Sequence, residues 1–103
     1  MAFGITKRDL DEWKSKAING EVAFITHFWY DARFPHYRTV TKAGCSNKDT
    51  LIQWGMKHGL KAEWIHEREL FPHFDLLGER QREILMKENK YDQLLKLERR
   101  MKG

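Results

Sequence analysis

Two histidines and a carboxylate stand close together in the stretch Gly59 to Arg80, GLKAEWIHERELFPHFDLLGER: His66, His73 and Asp75. His73 and Asp75 are two positions apart, so in an extended segment both side chains point to one face. An imidazole and a carboxylate placed that way form an acid–base pair, or two donors for a divalent ion. The competing reading makes Asp75 a cap for the helical pattern that follows, with His73 packed locally. His27 and Asp31 offer a second pair. A histidine alternating with Ile25 and Trp29 is, equally, a hydrogen-bonded core residue. His27, His66, His73 and Asp75 together have the donor types of a two-histidine, one-carboxylate site for Zn, Mn or Fe. Such an ion would lower the pKa of a bound water and supply the nucleophile of a hydrolase or nuclease. The candidate catalytic residues are thus His27, Asp31, His66, His73 and Asp75.

A second chemistry is written around Phe34–Tyr37. Arg33, Arg38, Lys42 and Lys48 flank this aromatic loop. Cations for phosphate, interleaved with rings for bases, are what a nucleic-acid surface requires. On this reading Arg33 and Arg38 hold phosphate, and Trp29 or Phe34 stacks. The alternative is a solvated rim over core aromatics. Cys45 precedes a helical segment whose N-terminus would favour a thiolate, yet no histidine is near it in sequence, and a small buried cysteine explains it as well.

The elements that must position these residues follow from periodicity. Thr6 and Asp9 have the spacing of a capping box, and Leu10, Trp13 and Ala17 recur at helical spacing up to Asn19-Gly20. Residues 21–31, EVAFITHFWYD, are β-branched and aromatic, and are apolar on both faces from Val22 to Ile25. They predict a central strand covered on both sides. Residues 38–42 (RTVTK) predict a shorter strand. Ser46 and Asp49 repeat the capping-box spacing before a helix that carries Leu51, Trp54 and His58 and ends at Gly59. Leu60, Ala62, Trp64 and His66 alternate with Lys61, Glu63, Ile65 and Glu67, which predicts a strand over 60–66. Helical spacing returns from Gly78 to Asn89 and continues through Tyr91, Leu94, Leu95, Leu97 and Met101, with Asn89-Lys90 either a break between two helices or a weak point in one.

This order predicts an α/β or α+β fold. A small sheet of two to four strands has a strand–helix–strand core, covered by an N-terminal helix and C-terminal helices. With the 22–30 and 60–66 strands parallel, their carboxyl ends share one edge, where ligands of open parallel sheets bind. His27, Asp31 and Arg33 would then approach His66, His73 and Asp75. That arrangement fails if 38–42 is an antiparallel partner of the first strand.

The 103 residues predict a single domain spanning 1–103, and the +4 net charge favours phosphate-bearing partners such as a nucleotide or nucleic acid. One cysteine excludes an internal disulfide, and there is no paired Cys/His zinc pattern. Neither GxxxxGK[ST] nor GxGxxG is present. No apolar run approaches the roughly 20 residues a bilayer span needs, and the N-terminal residues lack a signal-peptide layout, so no membrane partner and a cytoplasmic location are expected. Leu94, Leu97 and Met101 among basic residues leave two options for the last helix: packing in cis, or pairing with a second copy in a homodimer.

THFWYDARFP (26–35), TVTKAGC (39–45), WGMKHGLKAEWIH (54–66) and PHFDLLGERQ (72–81) resemble a small uncharacterised bacterial family of the Bacillus YneQ type. A looser similarity, chiefly through 59–76, extends to other short bacterial proteins of unknown function. The resemblance implies a bacterial cytosolic protein. It brings no activity and no site residue with it.

Overall fold

The computed structural model describes residues 2–3, 5–29, 32–33, 39–67 and 71–95. Strand β1 (Ala2–Phe3) is followed by helix α1 (Lys7–Ile18), strands β2 (Ala23–Trp29) and β3 (Thr39–Gly44), helix α2 (Lys48–Lys57), strand β4 (His73–Leu76) and helix α3 (Gly78–Lys87). A single 3-10 turn, Ala62–Trp64, lies between α2 and β4, and residues 91–95 are again helical. The mixed α/β class is as the sequence predicts.

The strands lie side by side in chain order, and every adjacent pair is antiparallel. This overturns the parallel arrangement expected for the strands at 22–30 and 60–66. β3 is the hairpin partner of β2, from Ala23↔Gly44 to Phe28↔Thr39. The segment at 60–66 is not a strand. It has the alternation but no β-branched residue before Ile65, and a pleated surface is what those residues would favour. Instead Trp64 N–H donates to Lys61 O and Ile65 N–H to Ala62 O, closing the 3-10 turn. Only His66 pairs with the sheet, as an isolated antiparallel bridge to His73.

Cross-strand partners share a face, so the register divides the sheet in two. Ala23, Ile25, His27, Val40, Lys42, Gly44, His73 and Asp75 are on one face, and Phe24, Thr26, Phe28, Thr39, Thr41, Ala43, Phe74 and Leu76 on the other. Helix α1 covers the first. Thr6 Oγ1 accepts from Asp9 N–H at 3.1 Å and Asp9 Oδ2 from Thr6 N–H at 3.1 Å, completing the expected capping box. Trp13 then lies over Gly44, where an added Cβ would overlap the indole, and its Nε1–H donates to Ala23 O at 3.0 Å. Trp13, Ala17, Ala23 and Ile25 form the small core of this face.

Helices α2 and α3 cover the other face over a larger core of Ala43, Cys45, Leu51, Leu60, Phe74, Leu76 and Ile84. The cap of α2 is Asn47, whose side chain accepts from Thr50 N–H at 3.1 Å; Ser46 bonds Ile18 O instead of capping. The helix seats tightly on β4, because a Cβ at Gly55 would be 2.6 Å from the Phe74 ring. It ends in a paired C-terminal motif, Leu60 N–H to Gly55 O and Gly59 N–H to Met56 O, with Gly59 left-handed at φ 74°. Cys45 is wholly buried in this core.

Helix α3 is pinned to the sheet through polar atoms. Gln81, 2 % exposed, donates from Nε2 to Thr41 Oγ1 at 2.8 Å and accepts from Thr39 Oγ1 at 3.2 Å. Thr41 in turn shares a hydroxyl hydrogen bond of 2.6 Å with Thr26. At its far end Glu88 accepts from Trp54 Nε1 at 2.8 Å, with His58 Nε2 at 3.7 Å from its other oxygen. Asn89, left-handed at φ 57°, makes a break before residues 91–95, the first of the two alternatives for this position.

Candidate functional site

Pro72 is harmless immediately before a strand, where its missing N–H removes no ladder bond. From there His73, Phe74, Asp75 and Leu76 alternate polar and apolar, sending Phe74 and Leu76 into the larger core and His73 and Asp75 to the opposite face. His66 joins them by exchanging two backbone hydrogen bonds with His73, at 2.8 and 3.0 Å. Residues so paired hold their side chains next to one another. The two imidazole rings stand 5.5 Å apart with planes inclined by 30°.

Asp75 faces both rings. Its Oδ2 is 3.3 Å from His66 Nε2, and its Oδ1 is 3.6 Å from His73 Nε2. His73 Nδ1 is 3.0 Å from Phe71 O, and since a carbonyl only accepts, that nitrogen carries the proton. The His73 ring is thereby fixed and its side chain is 5 % exposed, whereas His66 is 56 % exposed. The result is a row of groups from the Phe71 carbonyl past His73 and Asp75 to an open imidazole. Asp75 therefore does not cap α3. That position is Leu77, with no side-chain cap bond.

Beside this row, along the outer edge of β4, is a cleft of about 380 Å³. Leu60, Ile65, Phe74 and Leu76 provide its apolar lining; Glu63, His66, Asp75 and Arg80 bring the polar groups. Trp64 is at its lip and 40 % exposed. The Arg80 guanidinium lies over the indole at 5.1 Å and Lys61 Nζ at 5.7 Å. A two-residue link sets Arg80 there: Leu77 is still extended, and Gly78 at φ 61° turns the chain at once into α3. Among the described residues no carboxylate pairs with Arg80.

The sequence-predicted residues divide. His66, His73 and Asp75 come together. His27 does not: it is buried in β2 opposite Val40, two strands from β4 and four residues along from the level of His73, about 13 Å in the strand direction at roughly 3.3 Å per residue. Arg33 is exposed beyond the end of β2, which is the opposite end of the sheet from His73. Asp31, Phe34 and Arg38 lie outside the described residues, and of Trp29 only the backbone is described. Among the described residues no three His, Cys, Asp or Glu side chains are disposed to hold one metal ion. The two rings address different oxygens of Asp75 instead of converging on one point.

Trp64, Arg80, Lys61 and Glu63 were not singled out from sequence. One signal was available for Arg80. A cation in the first turn of a helix is where the macrodipole disfavours it, so another interaction must hold it there. Trp64 is that interaction.

Fold and site together define a small antiparallel α/β protein with a His–Asp–His cluster at the sheet edge and an arginine-lined cleft. No family model matches the chain, and no solved structure matches it. It is 55 % identical over 96 residues to the uncharacterized protein YneQ of Bacillus subtilis (strain 168), covering 93 % of this chain and 97 % of that protein. The chain belongs to the YneQ-type family of uncharacterised bacterial proteins. No helix among the described residues is long and apolar enough to cross a membrane.

Proposed function

We propose that the cleft beside β4 binds a phosphate-bearing ligand, a nucleotide or a segment of nucleic acid. The observation that carries this is Arg80: its guanidinium rests on Trp64 with no carboxylate partner among the described residues, at the mouth of a cleft that His66 also enters. Stacking orders a planar guanidinium while leaving its N–H donors for an anion, which is why arginine serves phosphate recognition. Lys61 adds a second cation at the same ring. Glu63 and Asp75 make the lining mixed in sign, which disfavours bare inorganic phosphate. A ligand with both an anionic group and N–H or O–H donors satisfies both halves, and a nucleotide has both.

The test is a fluorescence anisotropy titration of labelled single-stranded RNA and DNA oligonucleotides, and of competing mononucleotides, at low salt. Binding is expected to weaken with salt at a log–log slope of roughly 0.7 to 1.4, the value for one or two phosphates on a single strand. Arg80→Ala is expected to weaken it at least tenfold. Binding with no salt dependence, or none at all, overturns the reading.

A second reading, self-association, is supported by Met86, Tyr91 and Leu95, which are apolar yet more than half exposed at the C-terminal end of the described chain. Sedimentation of the full chain against a version ending at Lys90 tests it: a monomer at high concentration removes the idea.

A further inference from the structure

We propose that the cleft cleaves single-stranded RNA without a metal ion, by intramolecular transesterification with His66 as the general base. This rests on the phosphate-ligand reading above and extends it from binding to chemistry.

The geometry is that of a base with its orienting group. Asp75 Oδ2 lies 3.3 Å from His66 Nε2. A carboxylate at that position takes the proton-bearing nitrogen as its partner and leaves Nδ1 with the lone pair. The ring is 56 % exposed and opens on the cleft, so Nδ1 is accessible to a ligand. On the other side of Asp75 the buried His73 ring, fixed by its bond to Phe71 O, limits the space into which the carboxylate can turn. The base thus has a carboxylate beside it to orient the ring, as acid–base sites require.

The substrate class follows from what the cleft lacks. Among the described residues none of its lining side chains is a Ser, Thr, Cys or Lys. RNA brings a nucleophile of its own, already beside each phosphorus, in its 2′-hydroxyl. Nδ1 of His66 takes the 2′-hydroxyl proton. The 2′ oxygen forms a bond to the adjacent phosphorus, the bond from phosphorus to the 5′ oxygen breaks, and that oxygen takes a proton from water. The products are a 2′,3′-cyclic phosphate and a 5′-hydroxyl end, and His66 returns its proton to solvent. Arg80 pairs with the non-bridging oxygens, where negative charge builds in the transition state. Glu63 faces the N–H and O–H donors of base and sugar. A cleft of about 380 Å³ takes little more than one nucleotide, so the strand must be unpaired.

The experiment incubates the full chain with an end-labelled single-stranded RNA and its all-deoxy counterpart, in excess EDTA. Wild type is compared with His66→Ala, Asp75→Asn and Arg80→Ala, all purified identically and checked by thermal melting. The expected result is cleavage of RNA only, with 2′,3′-cyclic phosphate ends. His66→Ala should lower kcat about 10²-fold or more, the usual share of a general base, with oligonucleotide Kd within about threefold of wild type. Asp75→Asn, at a positioning residue that also lines the cleft, should lower kcat and displace the pH–rate profile, with a smaller effect on KM than on kcat. Binding without cleavage in EDTA overturns this proposal and leaves the binding reading standing. Absence of binding overturns both. Cleavage of RNA and DNA alike, or cleavage that His66→Ala retains, also overturns it.

Discussion

Arg80 and Gln81 are consecutive residues of one helix, and they meet opposite fates. Gln81 is buried, with its amide nitrogen on Thr41 and its amide oxygen taken by Thr39. Arg80 is exposed, and among the described residues it holds only the face of an indole. The same division runs through the strands beneath. Thr41 points to the helices and joins the closed network, and Lys42 and Asp75, one residue along in each strand, point the other way. The polar groups under α3 are matched donor to acceptor in a dry space, and this is what lets a buried polar network specify a packing. Those around the cleft keep donors and lone pairs uncommitted. The first set is built to hold; the second has capacity left for a ligand.

That contrast is breakable, and the largest effect is expected on the closed side. Gln81→Ala removes buried volume and leaves the Thr39 and Thr41 hydroxyls short of a partner. It should cost about 3 kcal/mol in urea unfolding, at the upper end for an unmade buried hydrogen bond, and leave oligonucleotide affinity unchanged for the folded fraction. Trp54→Phe keeps the ring packing on Phe24 and Phe74 but loses the Nε1 bond to Glu88. Glu88 is partly exposed and regains water, so about 1 kcal/mol is expected by the same denaturation. The smallest effect on stability belongs to the open side. Arg80→Ala and His66→Ala should each shift it by less than about 0.5 kcal/mol, as ordinary surface changes do. Stability losses there comparable to that of Gln81→Ala would mean that the cleft residues serve the fold.

Some of this was legible in the residues. The capping box at Thr6 and Asp9, the stop at Gly59, the β2 strand and a break or weak point at Asn89 were all readable, because each is set by interactions within a few positions. Strand direction was not. Whether β2 pairs antiparallel with 39–44 or parallel with a later strand depends on contacts between distant segments, and periodicity is blind to them. The same blindness exchanged β4 for its neighbour. Residues 60–66 show a long alternation but mostly face solvent, and the true strand is four residues following a proline, too short to register a period. Of the site, His66, His73 and Asp75 were visible as chemistry before they were visible as neighbours. Arg80 and Trp64 were not visible as a pair, since only the 3-10 turn and the link at Gly78 bring them face to face.

The lone thiol has a use that concerns the molecule's motions. Cys45 is fully enclosed between β3 and α2, and its N–H is bonded to Pro72 O at 3.1 Å, directly beside the start of β4. A thiol-reactive dye cannot reach it until that corner opens, so the labelling rate under native conditions counts the openings. Because His73 follows Pro72 in the chain, the same count reports how firmly the His–Asp–His edge is anchored. A ligand that settles against β4 and binds only the closed form should slow the clock.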